Sequence, residues 1–198
     1  MFLRNQSCGN VADFVAISPK PGRRMSPDCL SMPRLQDISI QRVRELHQVH
    51  SFLQSARVSM FGGRIASLEI PEDLRHFEET YRSGSGCMLA ALDADQRVQA
   101  TIACRDYDGR FVQLDFGPQK VVEVVRLFVA PQFRRSGVGQ AMLDVLMRHA
   151  LAQQVQVLYL HTHPFLPGAL EFWQRQGFAV IEREEDPLWQ TVHMQRLM

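Results

Sequence analysis

Residues 120–142 read KVVEVVRLFVAPQFRRSGVGQAM, and the fold turns on how this stretch is read. Its first ten residues are rich in β-branched side chains and lie between Pro118 and Pro131, which predicts a strand, central in its sheet. An arginine pair and two glycines follow, and from about Gly137 to Gln153 the apolar spacing is helical. A helix start carries N–H groups without intrahelical partners and the positive end of a dipole. Glycines there let a backbone close on an anion, and arginines add charge. Alone, the segment is equally a solvent-exposed glycine turn. A Walker A loop is excluded because no G-K-[ST] follows, and a G-x-G-x-x-G fingerprint is absent.

Working outward, VQVLYLH (155–161) is the next strand, GALEFWQRQ (168–176) a short helix stopped by Gly177, and FAVIERE (178–184) and TVHMQRL (191–197) two closing strands. Upstream, RLQDISI (34–40) reads as a strand and QRVRELHQVHSFLQ (41–54) as a helix. PEDLRHFEETY (71–81) reads as a second helix, and CMLAALD with VQATIACRDY as a hairpin about the turn ADQR. The order β-α-α-β-β-β-α-β-α-β-β predicts one domain of α/β or α+β class, a mixed sheet with helices on both faces. Residues 1–33, with SPKPGRRMSPD, lack periodicity and read as an N-terminal extension, loosely ordered, ahead of a domain over 34–198.

Composition narrows the function. The 198 residues are 45% apolar and 22% charged with a net charge of +1, so no global field draws the chain to nucleic acid or an anionic membrane. No apolar run reaches the roughly 20 residues of a membrane helix. Cys8, Cys29, Cys87 and Cys104 stand apart without a C-x-x-C pair, which speaks against a zinc site or a disulfide framework and suits a reducing cytoplasm.

VVRLFVAPQFRRSGVG resembles motif A of the GNAT superfamily of acyl-CoA N-acyltransferases, with Arg134, Gly137 and Gly139 on its defining positions. PGALEFWQRQGFAVIE resembles motif B through Ala169, Phe172, Gly177 and Phe178, and the element order from residue 34 onward is similar to the family's mainly antiparallel sheet. The resemblance implies acetyl-CoA or another acyl-CoA as co-substrate, no metal, and a small-molecule or peptide amine as acceptor; it is compatible with a homodimer. It implies pyrophosphate on the N–H groups of Arg135, Ser136, Gly137, Val138, Gly139 and Gln140, with Arg134 and Arg175 as further candidates. It also implies a pantetheine arm along Leu127, Phe128 and Val129, and an oxyanion donor among the N–H groups of Val129 or Phe128.

Acetyl transfer to an amine needs a base, and three residues are candidates. Glu123 is an unusual strand residue, six positions before Val129, where the resemblance implies a base; strict alternation puts it on one face with Val125, Leu127 and Val129. Its alternative is a carboxylate at the strand's exposed end or paired with Arg126 or Lys120. His161 and His163, in LHTHP, alternate onto one face at the end of their strand, and imidazole changes charge near neutral pH. His47, His50, His76 and His149 read as surface residues. Two positions depart from the family pattern: Trp173 stands where a Tyr usually protonates the thiolate, and Leu166 where Asn is frequent. Water, a histidine or Tyr159 would then supply the proton, or the thiolate would depart unaided. Phe61, from the segment between the first two helices, with Glu184, Glu185 and Trp189 of the final loop, would receive a cationic amine, or else form a solvated acidic turn. A non-catalytic acyl-CoA-binding module is the rival function.

Overall fold

The computed structural model describes residues 35–65 and 69–198, so the expected extension lies outside the described residues. Among the described residues seven strands form one sheet: β1 (Ser39–Arg42), β2 (Cys87–Leu92), β3 (Val98–Asp106), β4 (Val121–Val129), β5 (Val157–Thr162), β6 (Ala179–Arg183) and β7 (Val192–Leu197). Their order is β1-β2-β3-β4-β5-β7-β6, which puts β4 in the middle, and every neighbouring pair is antiparallel except β4 with β5. The crossover between those two is α4 (Val138–Ala152), the parallel connection that such a pair requires.

Strand alternation divides the apolar residues into two cores. On one face Cys87, Leu89, Ile102, Cys104, Val122 and Val124 pack with α4 and α5 (Ala169–Arg175). Val138, Met142, Leu143, Leu146 and Ala150 of α4 recur at three- and four-residue steps, and that stripe is buried against the sheet. On the other face Met88, Ala90 and Ala103 meet α1 (His50–Phe61), α2 (Glu72–Arg75) and α3 (Phe77–Tyr81).

Three local expectations shift. Residues Leu35–Asp37 form a 3-10 turn and the first strand runs Ser39–Arg42, because Gln41 and Arg42 are taken up by pairing with Ala90 and Leu89; the first helix therefore starts at His50. The second helix is broken at His76 (φ −101°, ψ 46°). In an unbroken helix Asp73 and Tyr81 would stand about 12 Å apart along the axis; across the break the Tyr81 hydroxyl donates to Asp73. His149 is half-buried and bonds the Ser85 carbonyl at 3.2 Å, so it is no surface residue.

Candidate functional site

The parallel register of β4 and β5 runs only from Val121 opposite Val157 to Glu123 opposite Tyr159. Beyond that point both strands continue without each other, to Val129 and Thr162, and a gap opens between them. Strand β4 carries a bulge at the start of this gap: Thr101 pairs with Phe128 and Ala103 with Val125, so Arg126 and Leu127 together oppose Ile102. Arg126 accordingly sits at φ +60°. The extra residue reverses the alternation. Glu123 and Val125 do not share a face with Leu127 and Val129, which instead pack against the α4-side core.

The bulge also sorts the backbone donors. Ala130 N–H donates to the Gln99 carbonyl on β3, so Phe128, two residues earlier, turns its N–H the same way. Val129 faces the gap, and its carbonyl accepts from Arg134 Nε at 3.1 Å. Of the three expected backbone positions, Leu127 and Val129 thus border the gap, and the Phe128 N–H belongs to the sheet.

At the far end of β4, Pro131–Phe133 forms a 3-10 turn, Arg135 takes φ +63°, and Gly137 at φ +88° opens α4. Residues with a Cβ rarely adopt that last conformation, which is why glycine serves there. Among the described residues the N–H groups of Gly137, Val138, Gly139 and Gln140 have no acceptor, as the start of a helix dictates. Ser136 differs: its N–H and its hydroxyl both go to the Phe133 carbonyl, at 3.4 and 2.6 Å. Arg134 folds back toward the Phe128 ring, with its guanidinium carbon 5.5 Å from the ring centre, and Arg135 is exposed. The result is a positive, donor-rich cradle at the mouth of the gap.

Glu123 is fully buried. Its partners are neither Arg126 nor Lys120, which bond Asp73 and the Gln153 carbonyl. Instead Arg105 Nε and Nη2 lie 2.9 and 2.8 Å from Oε2, Arg110 holds both oxygens, and His161 Nδ1 stands 3.0 Å from Oε1. Burial by itself would raise the Glu123 pKa; the hydrogen bonds from His161 and Arg110 and the charge of Arg105 overcome it and hold the carboxylate far below its ordinary range. A carboxylate can only accept, so His161 Nδ1 carries a hydrogen, and in the neutral ring Nε2 is the nitrogen with the lone pair. His163 Nδ1 likewise donates to the Trp189 carbonyl at 3.0 Å, and burial lowers the pKa of this ring.

Phe61, His163, Phe165 and Trp189 close into an aromatic cluster, each ring centre within 5.0–6.3 Å of the others, next to His161 at 5.8 Å from His163. Phe61 and Trp189 therefore meet as expected. Glu184 does not join them: it accepts from His193 Nε2 at 3.0 Å and from Gln113 at 3.1 Å. Glu185 is exposed, and Asp186 spends its oxygens on the N–H groups of Leu188, Trp189 and Gln190. Trp173 packs in the α4-side core, and Tyr159, fully buried, bonds His193 Nδ1 at 2.7 Å.

Several residues escaped the sequence. Arg105 is set opposite Glu123 by the antiparallel register of β3 with β4, which no local pattern announces. Arg110 and Phe111 arrive on the loop 107–120, where no periodicity marks them; Phe111 lies 5.6 Å from His161 and 4.6 Å from His193. Among the described residues no group of three His, Cys, Asp or Glu side chains is arranged to hold a metal, and no helix is long and apolar enough to cross a membrane.

Residues 49–178 match the model of the acetyltransferase (GNAT) family. No curated protein matches the chain. Among solved structures, a GNAT-family acetyltransferase from Staphylococcus aureus superposes with a TM-score of 0.65 at 21% identity over 81% of this chain and 98% of its own. An acetyltransferase from Streptococcus agalactiae gives 0.65 at 20% identity, over 83% and 100%. A GCN5-related N-acetyltransferase from Kribbella flavida gives 0.62 at 20%, over 82% and 99%. At such identities these likenesses concern the fold.

Proposed function

The chain belongs to the acetyltransferase (GNAT) family, and on that premise we propose that it carries an acetyl group from acetyl-CoA to a primary amine, a small molecule in preference to a protein. The acyl-CoA pyrophosphate rests on the free N–H groups at the start of α4, with Arg134 and Arg135 beside it, and the pantetheine arm runs along Leu127 and Val129. The observation that carries the reading is the Glu123–His161 pair, standing where β4 and β5 part.

In this reaction the amine nitrogen attacks the thioester carbon and a tetrahedral oxyanion forms. The Leu127 N–H is the donor nearest the bulge and is aimed along the gap to meet that charge. His161 Nε2 takes the proton that the amine loses as the C–N bond forms. Glu123, ionised throughout, fixes the ring and stabilises the imidazolium, so it acts through His161 and is not itself the base. When the C–S bond breaks, the same imidazolium returns its proton to the thiolate. Neither Trp173 nor Tyr159 is needed for that step, and both are buried and engaged elsewhere. The amine approaches past the aromatic cluster of Phe61, His163 and Trp189, whose faces accept either its apolar body or its charge.

The test is CoA release from acetyl-CoA, followed with a thiol reagent across a panel of primary amines. Release that depends on the amine supports the reading. Tight acetyl-CoA binding with no release on any amine would instead make the chain an acyl-CoA sensor.

A further inference from the structure

Arg126 is a residue with a side chain held at φ +60° inside the central strand, a conformation that such residues adopt only when their surroundings impose it. Two contacts do so. On one side the Arg126 guanidinium forks onto Asp73, with Nε 3.0 Å from Oδ2 and Nη2 on Oδ1; the Asp73 side chain, at the start of α2, is 8% exposed and also receives the Tyr81 hydroxyl. On the other side the fully buried Thr101 donates its hydroxyl to the Arg126 carbonyl at 2.9 Å. In a trans peptide the carbonyl and the following N–H point in opposite directions. Fixing the Arg126 carbonyl toward Thr101 therefore turns the Leu127 N–H away from β3.

We propose that Asp73 and Thr101 are positioning residues that hold the Arg126–Leu127 peptide so that its N–H faces the acetyl carbonyl in the gap, an inference that rests on the acetyl-transfer reading. Asp73 belongs to α2, in the helix layer that α1 and α3 share on that face of the sheet, so the clamp ties that layer to the donor of the central strand. Neither residue touches the substrates. Their effect is confined to the thioester carbonyl, which CoA lacks, and they leave the cradle's hold on the pyrophosphate alone.

The readout is accordingly the ratio of calorimetric affinities for acetyl-CoA and CoA, which global loosening of the fold would not change selectively. Thr101→Val, which removes only the hydroxyl, is expected to lower that preference severalfold. In an Asp73→Asn background, where no buried charge is left unpaired, Arg126→Gly and Arg126→Ala separate the backbone from the side chain. Glycine adopts φ +60° freely, so Asp73→Asn/Arg126→Gly should stay within about twofold of the wild-type ratio, while Asp73→Asn/Arg126→Ala should fall about tenfold, the worth of one hydrogen bond. Near-ultraviolet circular dichroism verifies that each variant is folded. An unchanged ratio in both Thr101→Val and the alanine double variant, equal losses in the two double variants, or a wild type that binds both ligands alike overturns the inference and leaves acetyl transfer standing. A wild type that binds neither ligand overturns the functional reading, and this inference with it.

Discussion

Glu123 reads differently once its neighbours are known. In sequence it is a carboxylate among valines, and a base is the natural reading. In the fold it is buried under two guanidiniums and an imidazole, and a carboxylate kept that far from protonation is a poor proton acceptor at any physiological pH. In the proposed reaction the proton work passes to His161 Nε2. His161→Gln should lower kcat/KM by about 10²-fold or more while acetyl-CoA affinity and Tm stay near wild type; CoA-release kinetics beside a melting curve check this. Glu123→Gln should act on both, because it leaves Arg105 and Arg110 facing an uncharged partner, at about 3–5 kcal/mol. The sign of its pH dependence follows from a pKa held below the ordinary 4.5. The pairing stabilises the fold above that value and is lost as pH falls below it. Denaturant midpoints measured from neutral pH downward should drop for the wild type below about this pH, and the Glu123→Gln curve should be lower and flatter. The sequence showed that Glu123 was out of place; that Arg110 comes to it from an irregular loop was beyond any pattern.

At the scale of elements, the α4 cradle was legible because its cause is local. A left-handed position before a helix calls for glycine, and the arginine pair beside it is visible in the letters. The two glycines are nonetheless unequal. A Cβ on Gly137 would demand φ +88°, whereas a Cβ on Gly139 would meet Phe172 and Val129 at ordinary contact distances of 3.5 and 3.6 Å. Gly137→Ala should therefore cost about 1 kcal/mol of stability and weaken acetyl-CoA binding, and Gly139→Ala should do less of both; titration calorimetry with melting curves distinguishes them. The bulge in β4 was not legible. Nothing in VVEVVRLFV marks where an extra residue enters, since it is fixed by pairing with β3 and by Asp73, far away in sequence. One inserted residue reverses every face beyond it, so strict alternation put Leu127 and Val129 on the wrong side.

For the molecule as a whole, the element order sufficed to foresee a mixed sheet with helices on both faces, because each helix and strand carries its own periodicity. Strand and helix ends moved where tertiary pairing outweighed local preference, as at Gln41 and His76. Both cores share the same strands, so the described domain should unfold in a single transition. Leu143→Ala, emptying a fully buried site, should lower stability by about 2–5 kcal/mol with circular dichroism and tryptophan fluorescence still coinciding. What joins the two faces is the gap in the middle of the sheet, with the cradle at one end and the histidine–carboxylate pair at the other. The most direct test of that arrangement is mass spectrometry of a primary-amine panel incubated with acetyl-CoA and either wild type or His161→Gln. The account predicts an amine that gains one acetyl group per CoA released, with formation slowed about 10²-fold in the variant. Acetyl-CoA bound by the wild type with every amine unmodified, or equal product from both proteins, would contradict it.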